Sequence, residues 1–159
     1  LQPALLDRLT DHEPHLRTER PDAVFVNESR LREALLRDLG WLLNARDAWD
    51  HVEMEGLEHV QRSVINYGMP PLAGQLLSEL DWGHVERSIR ESILAFEPRI
   101  LPKTLAVTLL ASTEQLNHHN TLQFEIRCQF WSMPYPLELL LKTSLDLETG
   151  QVSLQNLRA

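Results

Sequence analysis

The chain has 159 residues, 43 % of them hydrophobic and 24 % charged, with a formal net charge of −8 at pH 7. That size and composition describe one globular domain able to build a core of its own. The acidity and the scattered Lys and Arg exclude nucleic-acid binding as the main business, no apolar run nears the ~18 residues of a membrane span, and a lone cysteine, Cys128, excludes an internal disulfide.

Residues 1–27 read as a mobile N-terminal segment. Within it Leu5, Leu6 and Leu9 share one helical face for a turn or two, too short to be stable alone in water. They are a candidate docking element. The stretch from Asp11 to Asp22, with Pro14, Pro21 and many charges, reads as linker. Residues 28–159 then form a single domain.

Ser29 is the expected N-cap of the first long helix, whose apolar series is Leu31, Leu35, Leu39 and Leu42, with Leu36 and Leu43 beside it. Trp41 is expected to widen that buried face. A second helix is expected over Glu58 to Asn66, ended by Tyr67-Gly68-Met69-Pro70-Pro71, with Gly68 in a left-handed position and two prolines forbidding continuation. A short helical turn is expected near Leu72–Leu77. The next helix carries Val85, Ile89, Ile93 and Phe96 at intervals of three to four. It stops at Phe96 or Glu97, because Pro98 removes a donor and biases Glu97 away from helix.

After Pro102, which marks the edge of the first strand, the period changes to two. Leu105, Val107, Leu109 and Ala111 alternate with their neighbours. Leu122, Phe124, Ile126, Cys128 and Phe130 then form one face of a half-buried strand. The connection Glu114 to Asn120 is polar. A third strand covers Leu137 to Leu147, and Glu148-Thr149-Gly150-Gln151 makes a tight hairpin into a last strand, Val152 to Leu157. The fold class is α+β: N-terminal amphipathic helices packed on a C-terminal antiparallel sheet of three or four strands.

Chemistry-bearing candidates are few. The seven histidines show no HExxH motif and no pairing with cysteine at ligand spacing, and His118-His119 fall in the predicted loop between strands. The glycines form no phosphate loop, no nucleophile elbow is present, and Cys128 faces inward. A muramidase would need two carboxylates facing each other across a cleft; Glu97 is the one carboxylate with a semi-buried setting, and Arg99 beside it works against a general acid. The expectation is no enzyme, no metal and no cofactor.

Glu97, Pro98 and Arg99 stand at an enforced helix-to-strand corner among Phe96, Ile100 and Leu101. Two readings stay open there. The pair clamps the helix end to the sheet, or Arg99 offers its fork to a partner, and both can hold together. The last strand, with Val152, Leu154 and Asn156, is a candidate open edge for strand sharing.

Several segments together resemble the TssE family, baseplate subunits of type VI secretion systems related to a wedge protein of contractile phage tails. They are Leu5-Leu6-Asp7-Arg8-Leu9, Ser29-Arg30-Leu31, and Arg37-Asp38-Leu39-Gly40-Trp41-Leu42-Leu43-Asn44. Val64-Ile65-Asn66-Tyr67-Gly68-Met69-Pro70, Phe96-Glu97-Pro98-Arg99-Ile100 and Leu145-Asp146-Leu147-Glu148-Thr149-Gly150 complete the set. The resemblance implies a cytoplasmic, non-enzymatic assembly part. Its implied partners are TssF and TssG of the wedge, the TssB–TssC sheath reached by strand sharing, and TssK as a further neighbour, with the family's Glu-Pro-Arg motif at Glu97, Pro98 and Arg99. An anti-adaptor of the IraD type, which shares the fold and binds a response regulator, is the alternative.

Overall fold

The protein is represented by a computed structural model that describes residues 4–11, 14, 15, 17, 27–47, 56–72, 81–110 and 121–157. The segments expected over most of Asp11–Asp22, over Leu72–Leu77 beyond Leu72, and over Glu114–Asn120 with His118-His119 lie outside the described residues. So does the mobility expected for much of 1–27.

The described elements run α1 (Leu5–Leu9), α2 (Glu28–Asn44), α3 (Glu58–Gln61), α4 (Trp82–Phe96), then β1 (Ala106–Leu109), β2 (Thr121–Phe130), β3 (Leu137–Asp146) and β4 (Val152–Asn156). The four strands form one antiparallel sheet in the order β1-β2-β3-β4. This is the expected α+β arrangement, helices first and a meander last.

Alternation decides which face of the sheet is covered. Leu122, Phe124, Ile126, Cys128 and Phe130 of β2 are all buried, as are Leu139, Leu141 and Leu145 of β3, while the intervening residues look outward. Against that face lie Leu31, Leu35, Leu39, Leu42 and Leu43 of α2 and Val85, Ile89 and Ile93 of α4. Each fully buried side chain of this size stabilises the fold by about 1.5–3 kcal/mol. Asp146 closes the β3–β4 hairpin by accepting the N–H groups of Glu148 (2.8 Å) and Thr149 (3.3 Å), which hold its carboxyl below the usual range.

Four local expectations are corrected. The cap of α2 is Asn27, whose Oδ1 accepts the Arg30 N–H at 2.8 Å; Ser29 is already inside the helix. Trp41 is 52 % exposed and covers Arg37 rather than the core, with the guanidinium 5.1 Å from the ring centroid. The Glu58–Asn66 helix is broken: α3 stops at Gln61, and a single 3-10 turn, Val64–Asn66, follows with Val64 and Ile65 exposed. Ser63 Oγ and Asn66 Nδ2 both donate to the Val60 carbonyl, and such side-chain competition ends helices. Pro102 opens a 3-10 turn, Pro102–Thr104, so β1 begins only at Ala106.

Gly68 acts by proximity rather than as a helix cap. It has φ +139°, and a Cβ there would lie 2.5 Å from the Ala45 carbonyl oxygen. The close approach lets Met69 N–H donate to Ala45 O (3.0 Å) and Asp47 N–H to Met69 O (3.1 Å). Ser92 Oγ of α4 donates to the Gly68 carbonyl, so this short strap joins the end of α2 to the flank of α4.

Candidate functional site

The corner is built in four backbone steps. Glu97 N–H donates to Ile93 O (2.9 Å), the last bond of α4; Pro98 has no N–H to continue it. Ile100 N–H then turns back to Glu97 O (3.2 Å). Leu101 N–H donates to Gln129 O (2.8 Å) and Trp131 N–H to Arg99 O (2.7 Å), which lays Arg99–Leu101 along the end of β2.

Glu97 is thereby only 5 % exposed, and a carboxylate so buried needs strong partners. Arg99 supplies them. Glu97 Oε1 accepts the Arg99 backbone N–H (3.1 Å) and Nε (2.7 Å), and Oε2 accepts the terminal nitrogen (2.5 Å), a bidentate fork. That same nitrogen donates to Asp38 Oδ2 of α2 at 2.6 Å. Asp38 Oδ1 in turn accepts Arg37 Nε at 2.9 Å, and Arg37 donates to Asp7 of α1. Three carboxylates and two guanidinium groups thus alternate from the buried corner, across α2, to the N-terminal helix.

The chain's electrostatics follow from this alternation. Burial pulls the Arg99 pKa down, but the hydrogen bonds and charge of Glu97, then of Asp38, more than offset it and hold it above its ordinary value. Arg37 is raised chiefly by its bond to Asp7. Tyr67 packs edge-on against Phe96 (5.4 Å, 72°), and its phenol is raised by burial first, then by the charges of Asp38 and Glu97.

Glu97 and Arg99 pair with each other at the corner, and the Arg99 side chain stays 24 % exposed. Sequence reasoning missed Asp38, Arg37, Asp7 and Tyr67. Asp38 left a signal, since it lies three residues after Leu35 and four before Leu42, a carboxylate on the buried stripe itself.

The other candidates fall apart from this cluster. Leu5, Leu6 and Leu9 are 69 %, 44 % and 74 % exposed, and α1 buries none of its residues. In β4 the Val152 side chain is buried, and its backbone N–H and C=O are both taken by the Asn44 carboxamide at 2.9 Å; Leu154 is half-buried beside Gly40. Cys128 is buried, its thiol pushed up to about 12 by burial and then by Glu97. Among the described residues no three His, Cys, Asp or Glu side chains converge as metal ligands. A cavity of about 340 Å³ at the β2–β3 surface is lined by Thr104, Arg127, Cys128, Gln129, Glu138, Leu139 and Leu140, and so holds one carboxylate, not a facing pair.

A family model described as baseplate wedge protein gp25 matches residues 29–135, from the start of α2 through the corner and β2, and the chain belongs to that family. It is the family of the TssE subunits, and membership makes the chain a baseplate wedge subunit of the phage-tail and type VI secretion kind. Comparisons with curated proteins and with solved structures return no match.

Proposed function

We propose that this chain is the TssE-type subunit of a type VI secretion baseplate, a cytoplasmic structural protein without catalytic activity. It joins the TssF–TssG wedge and helps to initiate the TssB–TssC sheath, with TssK as a further neighbour. The observation that carries the reading is the wedge-family match over the whole helix-to-sheet corner. The setting of the charged groups supports it: Glu97 and Asp38 have both carboxylate oxygens committed to guanidinium groups, so they serve to fix α1, α2 and the corner relative to one another. In this reading the exposed leucines of α1 meet a wedge neighbour, and an extended sheath segment adds along β4.

The test is co-purification of the tagged chain with TssF and TssG from the same genome, beside a Leu5→Ser/Leu9→Ser double variant. Both replaced side chains are exposed, so the variant keeps its melting temperature. Capture by the wild type and loss in the variant is the expected result. A wild-type chain that captures neither TssF nor TssG and binds a response regulator instead would be an anti-adaptor.

A further inference from the structure

Nothing in α1 is buried. Its five residues take no place in the core, and a helix this short does not hold in water unaided. Its ends are closed by Arg8 N–H donating to Ala4 O (3.1 Å) and Thr10 N–H to Leu6 O (3.0 Å). What ties it to α2 is the Asp7 carboxylate, which accepts from one terminal nitrogen of Arg37.

The seat for that carboxylate is built without α1. Asp38 Oδ1 takes Arg37 Nε and the other terminal nitrogen, both at 2.9 Å. Trp41, one helical turn further along α2, lies against the same guanidinium, with its ring centroid 5.1 Å away. Asp38 is itself held through its second oxygen by Arg99. A planar guanidinium gripped along one edge and stacked on an indole aims its remaining nitrogen in a fixed direction, and Asp7 fills that position.

Charge balance separates the arm from the fold. With Asp7 in place, three carboxylates (Glu97, Asp38 and Asp7) face the two guanidinium groups of Arg99 and Arg37. Without it two face two, and each of the inner four keeps its partner. Lifting α1 therefore strands no buried charge and draws no buried side chain out of the core. The freed nitrogen of Arg37 turns to water, which part of that side chain already faces.

We infer that α1 is a releasable arm, latched by the Asp7 carboxylate in a seat that Arg37, Asp38 and Trp41 build on α2. The latch goes beyond the wedge reading and does not depend on it. It is electrostatic and reversible. Closed, it holds Leu5 and Leu9 at a set place beside α2 with their side chains in solvent. Open, the same leucines move with the arm while the corner stays paired. Salt favours the open state by screening the outer pair.

The test uses the full chain as wild type, Asp7→Asn, Arg37→Gln and the double variant. Amide exchange, taken relative to the intrinsic rate of each sequence, is followed by NMR at Arg8 and Thr10 in the arm and at Glu97 and Ile100 in the corner. In Asp7→Asn, exchange at Arg8 and Thr10 is expected to rise about threefold at low salt, the size of a partly exposed ion pair. The difference from wild type should vanish at ~1 M salt, where the Debye length is ~3 Å. Glu97 and Ile100 exchange and the urea midpoint of Asp7→Asn should match wild type. The double variant should open the arm no further than either single change, because both remove one contact.

Unchanged exchange at Arg8 and Thr10 in Asp7→Asn would overturn the latch. Additive effects in the double variant would also overturn it, since Asp7 would then act on the terminus of its own helix rather than through Arg37. Faster exchange at Glu97 and Ile100 in Asp7→Asn, or a lower urea midpoint, would overturn the releasable arm and make α1 part of the corner's clamp. Each of these outcomes leaves the wedge reading standing.

Discussion

The charge chain ends in two carboxylate–guanidinium pairs that share a chemistry and differ in setting. At one end Glu97 is 5 % exposed and gripped by both prongs of Arg99. At the other, the side chains of Asp7 and Arg37 are 25 % and 32 % exposed, and one nitrogen makes the contact. Water and salt screen both members of the outer pair; in the inner one they reach Arg99, whose side chain is 24 % exposed, and hardly reach Glu97. A contact map gives the two pairs equal rank, whereas the cost of losing either is set by what the abandoned partner then faces.

Substitution at the inner end has the largest expected effect. Arg99→Ala leaves Glu97 buried without a counter-charge, with Asp38 nearby, and costs about 3–5 kcal/mol. Urea unfolding measures it, and a loss below ~1 kcal/mol would mean that the corner opens to water. At the outer end, Arg37→Ala should cost under ~1 kcal/mol globally. Its signature is local: faster amide exchange in α1, with the difference from wild type shrinking toward ~1 M salt, where the Debye length falls to ~3 Å. A salt-independent difference would show that the cover Trp41 gives Arg37, not the ion pair, holds α1.

The smallest effect concerns Tyr67, whose phenol is raised by burial first and then by the charges of Asp38 and Glu97. Its folded pKa lies above the unfolded value, so the folded state holds the proton longer, and stability is full below pH ~10 and declines as pH rises beyond it. Tyr67→Phe should remove that share of the alkaline decline and leave the rest. Identical pH–stability curves for the two proteins would mean that neither burial nor the charges of Asp38 and Glu97 shift the Tyr67 phenol.

The period-two run Leu122–Phe130, the leucine stripe of α2 and the stop of α4 at Pro98 were all legible, because each depends on local steric or burial rules. Asn27 and Ser29 are both good caps two residues apart, and local preference alone does not choose between them. Val64 and Ile65 kept the helical spacing, yet Ser63 and Asn66 bonded the Val60 carbonyl and broke the helix. The long-range contacts were least legible: Asp38 meets Arg99 across 61 positions and Asn44 meets Val152 across 108, and no local pattern encodes such a meeting. The Glu97–Arg99 corner was found because proline enforced it, whereas its continuation to α1 was not.

Cys128 gives this molecule a built-in clock. It is the chain's single thiol, on the buried face of β2, and burial pushes its pKa up to about 12. Reagents that consume thiolate therefore find almost none while the sheet is closed. Labelling must wait for the sheet to part, so its rate counts openings of the core without any engineered reporter. A second cysteine placed on the exposed face of α1 would react at once, and the native protein could carry a dye on its N-terminal helix while the core thiol stayed silent.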